Sequence, residues 1–164
     1  MTRFFKRITS SLLSVLLLLP SIASACVMDG IGSGVLYKVP KKTFSIQLAT
    51  ARAIESEKLK ATHNANYEQR MMMLMFQLQQ QLSSQDKGEW FLFESSKGHY
   101  YKIISSDKGI KIRQHEVPQG NSEESIIVDI DVLNAIVSKQ LTAQQASEIG
   151  ILYLPTNASN LVMI

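Results

Sequence analysis

The sequence predicts an α+β protein in which N-terminal helices pack on an antiparallel sheet. Three observations predict this class. Apolar residues recur at helical spacing between residues 67 and 82, strand-like apolar runs separated by short turns occupy residues 90–113, and a capping box at Thr142 and Gln145 begins a helix near the C-terminus. Helices that precede a run of hairpin strands, with further helices after it, are typical of folds in which helices cover one sheet face.

Two helices are expected before the strands. Residues 43–59 have a helix-forming composition, and Thr62 or Asn64 is placed to cap a second helix that ends near residue 83. In that second helix the apolar residues follow a period of 3.6 residues. They are Tyr67, Met71, Leu74, Met75, Leu78 and Leu82.

The second half of the chain changes to strands and short helices. Asp131 is placed to cap a helix over residues 132–138, and the capping box at Thr142 begins a helix that ends at Gly150. We therefore expect the sheet to be followed by two short C-terminal helices and a closing strand. The expected strands are residues 90–93, 99–104, 110–113, 125–128 and 151–154.

The first 25 residues have the parts of a bacterial export signal. Arg3, Lys6 and Arg7 form a positive start, residues 8–19 are apolar, and residues 23–25 are a small-x-small cleavage site. The apolar run is about a dozen residues long, whereas a permanent membrane helix needs roughly 20. We therefore expect an exported protein of the bacterial periplasm or cell envelope.

Cleavage after Ala25 leaves a leader loop, residues 26–42, and a single α+β domain, residues 43–164. The whole sequence holds 17 Lys and Arg against 14 Asp and Glu, but three of the basic residues lie in the signal, so the mature chain carries 14 of each kind. A neutral chain offers no general attraction to an anionic partner. Because no long basic stripe with interleaved aromatic residues is present, nucleic acid is excluded as the expected partner.

The only cysteine, Cys26, stands directly after the cleavage site, so no internal disulfide or Cys-clustered metal site is expected. In one interpretation, ordinary signal peptidase leaves Cys26 as the free N-terminal residue. In the other, residues 22–26 resemble a bacterial lipobox, whose cysteine is acylated before cleavage. Acyl chains, worth about 0.8 kcal/mol per buried CH₂, would then hold the protein on a membrane as an outer-membrane lipoprotein.

The C-terminal part of the chain carries an ordered pattern of short helix, leucine, second helix and glycine-led strand. The residues of this pattern are Val132, Leu133, Ile136, Leu141, Ala146 and residues 150–154. In this order the segment resembles the closing part of sterol-carrier-protein-like domains. That resemblance implies a hydrophobic cavity under the sheet, which holds a lipid or another apolar molecule.

The methionine-rich helix and the aromatic strands are the candidates for a ligand site. Methionine adapts to irregular apolar surfaces. Met72, Met73 and Phe76 lie off the main apolar stripe, so we expect this stretch to be covered on two sides or to line a pocket. The first hypothesis is a lipid or other apolar small molecule held between the helix and the strands. Its expected lining is Met71, Met75, Leu78, Trp90 and Tyr100.

A second hypothesis is periplasmic metal handling, because soft thioether ligands select copper(I). The candidate copper ligands are His63, Met71, Met72 and Met75. On a helix Met71 and Met75 share a face whereas Met72 does not, so such a site needs a ligand from another element. A third hypothesis is a structural lipoprotein that contacts a partner protein through its surface and a membrane through Cys26.

No arrangement typical of catalysis is present. His63, His99 and His115 are scattered without a His-x-x-x-His spacing, and we expect them to be solvent-facing polar residues. No Gly-x-Ser-x-Gly motif occurs, and Cys26 lacks a rigid mount and a positioned base. We therefore expect a non-catalytic binding or accessory protein and no cofactor, with copper as the alternative.

Overall fold

The computed structural model describes residues 39–62, 66–84, 87–158 and 161–163. The expected signal peptide, the acylation candidate Cys26 and the copper-ligand candidate His63 lie outside the described residues. The same holds for most of the expected leader loop.

Helices flank a run of strands in the part of the chain that is described. The helices are α1 (Thr43–Glu55), α2 (Tyr67–Gln81), α3 (Ile130–Val137) and α4 (Ala143–Glu148). The strands are β1 (Leu82–Ser84), β2 (Gly88–Glu94), β3 (His99–Ser106), β4 (Gly109–Gln114), β5 (Ile126–Val128), β6 (Leu152–Tyr153) and β7 (Leu161–Met163). Short 3₁₀ turns lie at Ser122–Glu124 and Thr156–Ala158. The α+β class is confirmed.

The main sheet has five strands in the order β4-β3-β2-β5-β6, and β1 pairs separately with β7. The expectation of a purely antiparallel sheet needs a correction at one pair, because β5 runs parallel to β2. Strand β4 lies at one edge of the sheet. Residues 115–125 carry the chain from β4 across to the side of β2 that is opposite β3. After this crossover, β5 runs in the same direction as β2.

Helix α2 forms with the predicted periodicity and a different cap. Its N-cap is Asn66, whose side chain accepts a hydrogen bond from the Glu68 N–H at 3.1 Å, so the predicted cap at Thr62 is wrong. The other predicted cap, Asn64, lies outside the described residues. The buried side chains recur at the spacing of one helix face, as the sequence predicts. They are Met71, Leu74, Met75 and Leu78.

Helix α3 begins two positions earlier than a cap at Asp131 would place it. The N-cap is Asp129, whose carboxylate accepts the Asp131 N–H at 2.8 Å, and Asp131 lies within the first turn. The predicted cap at Asp131 is therefore wrong, because the buried Ile130 already belongs to the helix. The capping box of α4 is confirmed, with Thr142 and Gln145 each bonding the other's backbone N–H.

The two sheet faces pack against different parts of the chain. Trp90, Leu92 and Ile103 face the larger cluster, which also contains the buried stripe of α2 and the apolar residues of α3. Phe93 and Tyr100 face a smaller cluster that includes Ile46 of α1. The split follows from strand alternation, since neighbouring residues of a strand point to opposite faces. Phe93 and Tyr100 are paired across β2 and β3, with ring centroids 4.7 Å apart.

Glu94, the last residue of β2, is fully buried and joins several elements. Its Oε1 accepts the backbone N–H groups of Ser96 and Ile130 at 2.9 and 3.2 Å. Its Oε2 accepts the Lys97 N–H at 3.0 Å and the Tyr67 hydroxyl at 2.5 Å. Since Ile130 begins α3, the carboxyl group also lies at a helix N-terminus, where negative charge is favoured. These bonds tie together α2, the β2–β3 turn and α3.

We expect Glu94→Gln to lower the free energy of unfolding by roughly 2 to 4 kcal/mol, because either orientation of the amide points an N–H donor at a backbone N–H donor. Urea titration followed by the fluorescence of the single tryptophan, the buried Trp90, measures this change.

The matched control is Glu89→Gln, the same substitution on the same strand. The Glu89 side chain is 57% exposed and pairs with Lys102 at 2.9 Å. Its replacement should change stability by less than about 1 kcal/mol. Equal losses for the two variants would contradict the structural role assigned to Glu94.

Candidate functional site

Four of the five residues expected to line an apolar ligand site lie together in the core. Met71, Met75, Leu78 and Trp90 belong to the larger cluster and are between 1 and 6% exposed. Tyr100 is not brought to them, because it lies on the other face of the sheet in the smaller cluster. The indole N–H of Trp90 donates to a backbone carbonyl at 2.7 Å. Side chains buried to this degree pack against one another as core residues do.

The off-stripe residues of α2 are exposed. Met72, Met73 and Phe76 are 61, 63 and 65% exposed, so the described residues do not cover this stretch on its second side. Met72 borders a pocket, so the alternative expectation, that this stretch lines a pocket, holds for Met72. The three side chains differ in this respect, because Met73 and Phe76 are not part of the pocket lining.

The pocket that Met72 borders lies between the first turns of α2 and the open end of the β3–β4 hairpin, and we name it the α2–hairpin pocket. Its volume is about 170 Å³. Helix α2 contributes a phenol, a carboxylate and two thioethers, and the hairpin contributes two imidazoles, a phenol and an amide. The lining residues are Tyr67, Glu68, Met71, Met72, His99, Tyr101, Gln114 and His115.

The hairpin register brings two histidines together in this pocket. Tyr101 lies opposite Gln114, so His99 at the start of β3 and His115 just after β4 meet at the open end. Their ring centroids are 5.6 Å apart, with the ring planes at 85°. The expectation of solvent-facing histidines is confirmed for His115, which is exposed, whereas His99 is half-buried. Their meeting in one pocket is not predicted by their spacing in the sequence.

The conformation of His115 explains why its ring reaches the pocket. Its N–H donates to the Tyr100 carbonyl at 3.0 Å, which continues the hairpin ladder by one bond. Simple alternation would then place His115 on the face of Tyr100, away from His99. Instead, His115 has φ of 61°, a left-handed conformation that breaks the alternation. Its side chain thus lines the same pocket as that of His99.

Tyr67 connects the pocket wall to the buried carboxyl group of Glu94. Its ring lies 6.1 Å from the ring of His99, and its hydroxyl donates to Glu94. Burial, reinforced by the neighbouring Glu94 carboxylate, raises the pKa of Tyr67 above its ordinary value. The phenol therefore stays protonated and acts as a hydrogen-bond donor. The Lys97 ammonium group lies 5.9 Å from the centroid of the same ring.

An ion pair fixes the first turn of α2 to α3. Arg70 pairs with Asp131, and both side chains are largely buried. The Arg70 guanidinium also donates to the Thr62 carbonyl at 3.0 Å, and the Thr62 N–H donates to Asp131 at 3.1 Å. Thr62, Arg70 and Asp131 thus close a ring of hydrogen bonds at the first turn of α2, and this ring holds the helix that carries Met71 and Met72.

A larger groove crosses the other face of the sheet, with a volume of about 600 Å³. Its charged side chains already pair with one another: Lys102 contacts Glu89 at 2.9 Å and Glu116 at 3.8 Å. Arg113 pairs with Glu116 as well, at 3.1 Å. The charged groups of this groove therefore satisfy one another.

The copper-ligand candidates from the sequence divide between two places. Met71 and Met72 line the α2–hairpin pocket, whereas Met75 is buried in the core and is not part of the lining. His63 lies outside the described residues. Among the residues that the structure describes, no three His, Cys, Asp or Glu side chains are arranged to hold a metal ion.

Comparison of the chain with protein-family models, curated proteins and solved structures finds no match. The resemblance to sterol-carrier-protein-like domains therefore stays a prediction. In the ranges described, no helix has the length and apolar character needed to cross a membrane.

Asp129, the N-cap of α3, makes the folding stability depend on pH. Burial raises the pKa of this N-cap carboxyl from 3.8 to about 6, an effect that the nearby Glu94 and Asp131 reinforce and the hydrogen bond from the Asp131 N–H opposes. Between these two pKa values the folded protein binds more protons than the unfolded chain. The contribution of Asp129 to stability is therefore full below the lower value and falls as the pH rises to about 6.

We expect Asp129→Asn to remove this fall, because an asparagine still caps the helix and does not ionise. At pH 7 the variant should be more stable than the wild type by at most about 3 kcal/mol, and the two should converge near pH 3. Urea midpoints between pH 3 and 7 measure the difference. The control Asp107→Asn, at an exposed turn, should keep the wild-type profile. A difference that is the same at every pH would contradict the assignment.

Proposed function

We propose that the protein is an exported, non-catalytic binding protein whose ligand site is the α2–hairpin pocket. The observation that carries the proposal is the convergence of phenol, imidazole and thioether side chains from two separate elements on one cavity. Pockets that combine an apolar lining with a few converging polar groups are the usual form of a ligand site. The export signal expected in the first 25 residues supports the proposal that the protein is exported.

The volume of the pocket restricts the size of the ligand. Pockets for drug-sized molecules measure about 300 to 1,000 Å³, whereas this one measures about 170 Å³. The volume favours a ligand no larger than a single ring, or an ion, over a whole lipid. The proposal therefore narrows the apolar ligand expected from the sequence to a small one and replaces most of its expected lining. Of the five expected residues, Met71 is the one that this pocket retains.

The surroundings of the pocket hold its walls in place. Glu94 fixes Tyr67 and the β2–β3 turn that leads into His99, while the pair of Arg70 and Asp131 fixes the start of α2 on α3. A site whose walls are set before the ligand arrives loses less conformational entropy on binding. This arrangement supports a preformed binding site rather than a surface hollow.

Chemical-shift mapping with single-ring probes tests the proposal. The ¹⁵N-labelled mature chain is recovered from the bacterial periplasm, and its intact mass reports whether cleavage occurs after Ala25. Phenol, indole and imidazole are then titrated into it separately. We expect at least one probe to shift the backbone amides of His99, Tyr101 and His115. Shifts confined to other surfaces would contradict the proposal, as would a pocket that takes up neither a single-ring probe nor a metal ion.

Two neighbouring methionines provide the matched variants. Met72 and Met73 are equally exposed on α2, but only Met72 is part of the pocket lining. Met72→Arg should abolish the probe shifts because the longer charged side chain occupies the mouth of the pocket. Met73→Arg should leave them unchanged, and a loss in both variants would count against this site.

A further inference from the structure

We propose that the α2–hairpin pocket is a copper(I) site formed by the imidazoles of His99 and His115 and the thioethers of Met71 and Met72. The inference rests on the proposed function, because it names the ligand of the same pocket. It differs from the copper hypothesis drawn from the sequence, in which His63 and Met75 take the places of the two imidazoles beside Met71 and Met72.

The spacing of the two imidazoles fits one shared ion. A histidine nitrogen binds a metal ion at about 2.0 to 2.1 Å, which puts the ring centroid roughly 3 Å from the ion. Two such rings on one ion have centroids roughly 5 to 6 Å apart. The observed separation between His99 and His115 is 5.6 Å, and the planes are nearly perpendicular, so the rings are not stacked face to face.

The thioethers supply the softer donors. Met71 and Met72 border the same pocket as the imidazoles, the first from the buried side and the second from the exposed rim. Thioether sulfur is a soft ligand that suits copper(I), and imidazole binds copper as well. The two methionines are neighbours on α2, so both sulfur atoms come from one rigid element, and the two imidazoles come from the facing hairpin.

The charges round the pocket favour a cation. Glu68 contributes a carboxylate to the lining, and the Glu94 carboxyl group lies behind Tyr67. The Lys97 ammonium group, near the outer face of the Tyr67 ring, is the opposing charge among these contacts. Two acidic groups against one basic group leave the pocket with a negative bias, and this bias suits a metal ion more than an anionic ligand.

Competition with bicinchoninate under anaerobic, reducing conditions measures copper(I) binding to the mature chain. We expect one copper(I) ion per chain. Met72→Leu and His115→Asn should each weaken binding about tenfold or more, because loss of even a group that only orients a metal ligand typically costs about that much. Both substitutions suit their positions, because Met72 is exposed and asparagine tolerates the left-handed conformation of His115.

Met73→Leu and Met75→Leu are the matched controls on the same helix. Neither side chain lines the pocket, so each variant should bind copper(I) within about twofold of the wild type, as expected for a volume-conserving change away from the ligands. Equal weakening by Met72→Leu and Met73→Leu would overturn the site, as would a chain that does not compete with bicinchoninate.

The single-ring probes separate this inference from the proposed function. Probe shifts in the pocket without copper(I) binding would overturn the copper inference and leave the proposed function standing. If the probes cause no shifts and copper(I) does not bind, both fail. Copper(I) binding that depends on His115 and Met72 supports both.

Discussion

A buried carboxyl group that must find hydrogen-bond donors is the constraint on which the rest of the structure depends. Removing a carboxylate from water costs several kcal/mol unless its oxygens are bonded to donors. Glu94 meets this requirement with backbone N–H groups of the β2–β3 turn, the first N–H of α3 and the hydroxyl of Tyr67. Segments far apart in the sequence are thereby forced to meet at the end of β2, and the α2–hairpin pocket lies directly beside this point.

The crossover from β4 to β5 has a second consequence. By returning parallel to β2, β5 becomes the inner neighbour of β2 and delivers α3 to the same sheet face as α2. That face then becomes the main core, while the aromatic pair of Phe93 and Tyr100 is left on the face that Ile46 of α1 covers. The methionine stripe and Tyr100 thus belong to separate cores, and the side chains that line the α2–hairpin pocket lie at the edge of one of them.

Local patterns in the sequence predict most of the elements. The period of α2, the capping box at Thr142 and the hairpin turn before Gly109 each depend on neighbouring residues, and each is found in the structure. The cap of α3 is ambiguous from sequence because Asp129 and Asp131 are equally suited to it. The choice depends on burial of Ile130 in the tertiary structure.

The candidate site is harder to predict, because its parts meet through tertiary contacts. Strand alternation alone indicates that Tyr100 and Tyr101 face opposite ways, and the hairpin register places His99 near His115. The left-handed backbone of His115, which turns its ring into the pocket, leaves no mark in the sequence. Neither does the burial of Glu94, since a glutamate at the end of an apolar strand is more often exposed.

The measurement that tests the role of Glu94 most directly is native-state hydrogen exchange of the amides that bond it. Ser96 and Lys97 lie in a surface turn, where amides normally exchange through local opening. Because their N–H groups donate to a buried carboxyl group, we expect these amides to exchange as slowly as that of Leu92 in the centre of β2, by global unfolding. The first amide of α3, Ile130, should behave in the same way. Exchange of the turn amides at the rate of exposed loop residues would contradict this role of Glu94.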